Sequence, residues 1–273
     1  MNKETLTWRT FGNVKAYCLD DDALFFLDLK LTPSEWLMQH GTRLKSDKNK
    51  ISFLVQGPDK RVFFVKQFRT NRIWHKLRYM ASTDQAFRLF KTSRALSFAG
   101  LPVPFPLAVI IDFKTFKRSE YFISEAFTDC VTLEDKIKKT DHKSIFKEIM
   151  PNMANLLADM HSSGFYHGDM KWNNILIHPE DSYKIYLTDL DSVGYLKDKR
   201  DKRYAMDISR FCISLYESLY NTDYVTRFIQ IYSDVAQRDP QTVAEHMRPY
   251  HNKRAAKHKL TKQIDIPDII IKT

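Results

Sequence analysis

The stretch His167-Gly168-Asp169-Met170-Lys171-Trp172-Asn173-Asn174 sets an Asp, a Lys and an Asn in fixed register, and Asp189-Leu190-Asp191 begins fifteen residues after Asn174. Few architectures can hold such a run. It follows a helical pattern that stops at Gly164 and precedes two short apolar segments. Its side chains must therefore sit on a loop between a helix and a hairpin. Such a loop supports phosphoryl transfer, which asks a protein for positioning and charge neutralisation rather than covalent chemistry. Asp169 is placed to accept the proton of an attacking hydroxyl, and Lys171 to reach the transferred group. Asn174 and Asp189 are placed to hold Mg²⁺, which takes one or two protein oxygens together with substrate phosphates. Asp191 reads as a further metal ligand or, preferably, as an acceptor that supports Asp189. Trp172 allows two readings, stacking on a sugar face or covering the loop. Asp207 reads either as a brace for the loop or as a charge at a helix N-terminus.

The surrounding pattern predicts an α+β, bilobal fold. Residues 51–55 and 61–68 read as strands around the turn Gly57-Pro58-Asp59. A helix is expected over 83–98, with Phe87, Phe90 or Lys91, Arg94 and Phe98 near one face, ended by Gly100 and by Pro102, Pro104 and Pro106. Residues 109–111 and 121–123 read as a hairpin, followed by a crossover over 124–129. A second helix is expected over 145–161, burying Ile149, Met153, Leu156, Leu157 and Met160. Strands at 174–177 and 185–187 and a largely helical region from Asp207 complete the chain. We expect an N-lobe over 1–127 and a C-lobe over 128–273, with nucleotide in the cleft between them. Lys66, at the end of an apolar strand, reads as the anchor for the α- and β-phosphates.

A net charge of +10 favours anionic partners. The charge gathers in residues 45–50, 197–203 and 251–259. The three cysteines, Cys18, Cys130 and Cys212, form no metal-type pair and suit a reducing compartment. No apolar run is long enough to span a bilayer, and the first five residues lack a signal core.

These residues resemble the lipopolysaccharide kinase (Kdo/WaaP-type) family of the protein-kinase-like superfamily. The resemblance runs from about Thr42 to Arg210. It rests on Phe64-Val65-Lys66-Gln67-Phe68, on Ala95-Leu96-Ser97-Phe98-Ala99-Gly100-Leu101-Pro102-Val103-Pro104, on Ser124-Glu125-Ala126-Phe127 with Thr132-Leu133-Glu134-Asp135, and on the loop with Thr188-Asp189-Leu190-Asp191. It implies ATP- and Mg²⁺-dependent phosphorylation of a heptose or Kdo hydroxyl of the lipopolysaccharide inner core, at the cytoplasmic face of the inner membrane. It further implies that His167 packs beneath the loop against backbone, and that Glu125 and Phe127 of the crossover meet the nucleotide. The partners expected are the core or its lipid-linked precursor, an anionic membrane surface and an acidic protein, but not nucleic acid.

The chain departs from a protein kinase in four ways. No glycine-rich loop precedes Lys66, and the turn at 45–50 is expected to offer lysines, Lys45 among them, to phosphates by charge. The helix over 83–98 has no Glu to pair with Lys66; Leu89 falls near that place. Asp191 stands where a Gly usually follows the metal-binding Asp. Only 17 residues separate Asp189 from Asp207, too few for a peptide-docking segment. That segment carries Lys197, Lys199, Arg200, Lys202 and Arg203, which suit a phosphorylated glycolipid. A small-molecule kinase of the aminoglycoside or choline type, a protein kinase, and a pseudokinase or binding protein stay open as alternatives.

Overall fold

The computed structural model describes residues 8–25, 27, 31–47, 49–69, 84–113, 118–198 and 200–268. The chain forms two compact units: Met1–Phe98 with Pro104–Thr128, and Ala99–Val103 with Asp129–Thr273.

The first unit is built on a seven-stranded antiparallel sheet. Its strands are β1 (Trp8–Phe11), β2 (Val14–Cys18), β3 (Thr42–Ser46), β4 (Lys50–Gln56), β5 (Val62–Arg69), β6 (Pro106–Asp112) and β7 (Ser119–Glu125), in the order β1-β2-β6-β7-β5-β4-β3. Alternation decides which face each side chain joins. Ile51, Phe53 and Val55 of β4 and Phe63 and Val65 of β5 bury one face together with Leu37 of helix α1 (Pro33–His40). Thr32 caps α1 in a reciprocal capping box with Glu35, and Pro33 stands where its missing N–H costs nothing. Helix α2 (Gln85–Phe98) packs on β5, β6 and β7. Its buried stripe is Ala86, Leu89, Phe90, Ser93 and Leu96, which shares only Phe90 with the expected line. Phe98 is 62% exposed, and Phe87 lies beside the sheet against Trp8 and Tyr17. Phe90, 1% exposed, sits in the contact beside the smaller Ala86 and Ser93.

The second unit carries helices α3 (Leu133–Lys138), α4 (Met150–Ser162), α5 (Tyr204–Leu219), α6 (Thr222–Val235) and α7 (Pro240–Lys262). A π-helical turn, Ile145–Ile149, leads into α4, where Pro151 has no N–H to continue an i→i−4 ladder. Ile149, Met153, Leu156, Leu157 and Met160 are all buried. Two short sheets hold the loops between α4 and α5: β8 (Val131–Thr132) and β11 (Asp181–Leu187) flank β10 (Ile175–His178), and β9 (Phe165–Tyr166) pairs with β12 (Gly194–Tyr195). The Leu187 amide donates to the Pro102 carbonyl, so the proline-rich segment Ala99–Val103 packs as part of this unit. Among the described residues, no helix is long and apolar enough to cross a membrane.

Candidate active site

The loop after β9 is held by one carboxylate. Asp207, fully buried in the first turn of α5, accepts from the backbone amides of His167 (2.6 Å) and Gly168 (2.7 Å). Its Oδ2 also meets His161 Nε2 at 3.3 Å, and His161 Nδ1 meets the Tyr232 hydroxyl at 2.9 Å. Hydrogen bonds to an ionised acceptor are the stronger kind. Gly168 adopts φ +83°, and a Cβ there would lie 2.5 Å from the Ser192 carbonyl oxygen. Only glycine fits so close an approach. His167, 0% exposed, joins the loop to the next strand through Nε2 and the Thr188 carbonyl at 3.0 Å.

Asp169 therefore emerges from a rigid turn. Its Oδ2 lies 3.3 Å from Lys171 Nζ, and its Oδ1 lies 3.3 Å from Arg210 Nε and 3.9 Å from an Arg254 guanidinium nitrogen. Burial pushes the Asp169 pKa up, but Lys171, Arg210 and Arg254 outweigh it and hold the carboxyl below its ordinary value. The group is thus ionised and ready to accept a proton.

Asn174 precedes β10 in a 3₁₀ turn, not in the strand itself. Its Nδ2 donates to the Asp169 carbonyl at 2.9 Å, which leaves Oδ1 as an acceptor. The Asn174 carbonyl takes the Thr188 amide (2.9 Å) and hydroxyl (3.1 Å), which ties the start of one strand to the end of the other. Asp189 follows at once, in the left-handed region (φ 57°, ψ 53°), with an exposed side chain. Asp tolerates that conformation better than most residues. Among the described residues no three His, Cys, Asp or Glu side chains gather as a metal cage. One amide oxygen and one carboxylate suit Mg²⁺, whose remaining ligands are phosphates and waters. Asp191 is half-buried in the 3₁₀ turn Leu190–Ser192.

Other candidates occupy different settings. Trp172 is 1% exposed and packs on Phe211 with ring centroids 5.7 Å apart, so it covers the loop and has no face free for a sugar. Arg203 is turned inward: Nε meets both Asp201 oxygens at 3.0 Å, NH2 donates to the Tyr195 carbonyl, and the guanidinium lies 4.9 Å from the Tyr166 ring centre. It braces its own loop and is not offered to a phosphate. Lys197, Arg200 and Lys202 are exposed; Lys199 lies outside the described residues.

In the first unit, Lys66 is 7% exposed and pairs in register with Ser52 and Phe122. Paired residues share a face, so Glu120, opposite Phe68, lies on the same face as Lys66. This buried carboxylate accepts from the Ala86 amide at 3.0 Å, which caps α2, and burial pushes its pKa up. Leu89 faces the sheet and is buried. Lys45 is not in a turn: it lies in edge strand β3, exposed, with Asp47 at 3.6 Å. Glu125 ends β7 with its side chain exposed and its carbonyl accepting from the Ser124 hydroxyl, and Phe127 beyond it is half-buried.

Sequence reasoning missed Arg210, Arg254 and His161. Arg210 had a signal, since it stands three residues after Asp207 and shares its helix face. Arg254 had none, because α7 reaches Asp169 only through tertiary packing.

The model of the lipopolysaccharide kinase (Kdo/WaaP) family matches residues 38–232. Among solved structures the chain is similar to WaaP in complex with acyl carrier protein, with 16% identity, 84% of this chain and 93% of that chain covered, and a TM-score of 0.59. It is also similar to the amicoumacin kinase hAmiN in complex with AMP-PNP, Ca²⁺ and Ami, with 12% identity, 84% and 82% covered, and a TM-score of 0.53. At these identities the likeness is one of fold, protein-kinase-like and α+β. A probable bifunctional tRNA threonylcarbamoyladenosine biosynthesis protein of Methanosarcina acetivorans is 28% identical over 154 residues, 55% of this chain. The chain spans 24% of that relative's length.

Proposed function

The chain belongs to the lipopolysaccharide kinase (Kdo/WaaP) family, and from that premise we propose that it transfers the γ-phosphoryl group of ATP to a heptose or Kdo hydroxyl of the lipopolysaccharide inner core. The observation that carries the reading is the grip of Asp207 on the His167 and Gly168 amides, which presents Asp169 beside Lys171. In this reading Asp169 accepts the proton of the sugar hydroxyl as oxygen attacks phosphorus. Lys171 balances charge on the transferred group, and Lys66 anchors the α- and β-phosphates. Glu125 and Phe127 meet the nucleotide. Asn174 and Asp189 hold Mg²⁺, which when bound neutralises the triphosphate.

The net charge of +10 favours a peripheral seat on an anionic membrane surface, near the glycolipid. WaaP has been seen with acyl carrier protein; a protein partner with an acidic surface is part of the same proposal.

The test is transfer from γ-labelled ATP to dephosphorylated core oligosaccharide. Wild type should label the sugar. Asp169→Asn should slow transfer about 10²–10⁴-fold, the usual worth of a positioned base, while nucleotide still binds. Label on protein in place of sugar would overturn the acceptor assignment.

A further inference from the structure

Lys171 and Asn173, on either side of Trp172, line a pocket of about 570 Å³ whose other walls come from α3 and α5. It lies wholly within the second unit. That size falls in the ~300–1,000 Å³ range of small-ligand sites. Lys171 joins the pocket to the reaction point, because its Nζ lies 3.3 Å from Asp169 Oδ2. Asp169 itself stands outside the lining. A group seated in the pocket is therefore a neighbour of the reacting hydroxyl and not its carrier.

The charged side chains of the wall already have partners. Lys171 and Arg210 meet Asp169, Lys138 Nζ meets Glu134 at 2.9 Å, and Glu217 meets His258 Nδ1 at 2.9 Å. The pocket thus offers a ligand no unopposed charge. It offers the Ser214 and Ser218 hydroxyls, the Asn173 amide and the further donor and acceptor positions of the ion pairs. Each hydroxyl of a sugar both donates and accepts, and this wall supplies both kinds of partner. Ile137, Leu219 and Ile264 add apolar surface, which suits the C–H face of a sugar ring.

We infer that this pocket is a subsite for the sugar unit next to the one phosphorylated, so that the protein recognises its acceptor as an oligosaccharide and not as a single sugar. The inference rests on the reading of Asp169 as the base of a sugar kinase. Binding energy from a non-reacting part of a substrate holds the reacting hydroxyl in line. An acceptor cut back to one unit gives up that energy and loses turnover as well as affinity. Asp207 and Ser218 share α5, so the helix that braces the catalytic loop also carries a wall of the subsite.

Steady-state kinetics of the full chain test this, with dephosphorylated core oligosaccharide and with the methyl glycosides of heptose and Kdo as acceptors. Wild type should show a kcat/KM about ten-fold or more higher for the oligosaccharide than for either glycoside. Ser218→Tyr, which places a ring in the pocket, should bring that ratio towards one. Equal use of long and short acceptors by wild type, or a ratio unchanged in Ser218→Tyr, overturns the subsite. Lys138, with 59% of its side chain exposed, gives a second variant: Lys138→Gln should lower the ratio about three-fold, the worth of one hydrogen bond, and it decides alone should Ser218→Tyr fail to fold by urea melt. Calorimetric titration with the oligosaccharide, Mg²⁺–AMP-PNP present, separates this inference from the kinase reading. Transfer to no acceptor would sink the kinase reading, yet oligosaccharide binding that Ser218→Tyr weakens about ten-fold would still support the subsite. Equal binding by both proteins would overturn it.

Discussion

Asp207 shows how one side chain can specify a site from a distance. Its two oxygens take two consecutive amides and a histidine, so the loop geometry depends on an acceptor that never faces the substrate. Replacing it by Asn leaves one acceptor oxygen and sets an amide donor against a backbone donor. We expect Asp207→Asn to lose roughly 1–3 kcal/mol of stability and to slow turnover while ATP still binds, read by urea midpoint and steady-state kinetics. Gly168→Ala should act through the other side of the turn. Its Cβ would push the Ser192 backbone, displacing the segment that begins at Asp189. A loss of about 1–3 kcal/mol is expected for backbone strain of this kind, with turnover falling in step. The pH dependence follows from Asp169. Its folded pKa is depressed, so the ionised form persists until the pH falls below the ordinary Asp value of about 3.9. The acid limb of the rate profile should therefore lie below that value and move upward in Arg254→Gln.

At the level of elements, α5 is the keystone of the site. Asp207 and Arg210 stand three residues apart on it, and both point to the same loop. Helix α7 then meets α5 through His258 and Glu217, and the loop through Arg254 and Asp169. Its His251 is buried, with Nε2 meeting the Pro267 carbonyl at 2.8 Å, and burial lowers its pKa. The unfolded chain then binds a proton that the fold resists, so stability falls as pH drops below about 6.5. Urea melts at pH 7.5 and 5.5 should show this loss in wild type and a smaller one in His251→Gln. The sequence marked helix α4 by its apolar spacing, and all five expected residues are buried. On α2 only Phe90 of the expected line is buried, and Ala86, Leu89, Ser93 and Leu96 complete the contact.

For the whole molecule, charge is the property that reaches furthest. Arg248, Lys253, Lys257 and Lys259 of α7 are exposed, and basic residues near an anionic bilayer contribute about 1 kcal/mol each. Co-sedimentation with phosphatidylglycerol vesicles should be strong at low salt, fall as ionic strength rises, and weaken when Lys253, Lys257 and Lys259 become Glu. Binding that ignores salt and these lysines would exclude an electrostatic seat.

The sequence by itself determined the α+β, kinase-like class and the order of the loop residues from His167 to Asp189, because helix and strand periodicities and a short polar motif are local properties of the chain. It left Asp207 between a brace for the loop and a helix N-terminal charge, and the hydrogen bonds from the His167 and Gly168 amides decided for the brace. Tertiary structure alone decided the charge around Asp169. Arg254 lies 85 residues beyond it, and a long-range ion pair leaves no periodic trace. It also turned Arg203 inward and buried Trp172, because a side chain's partners follow from packing, and residue type fixes only what those partners could be.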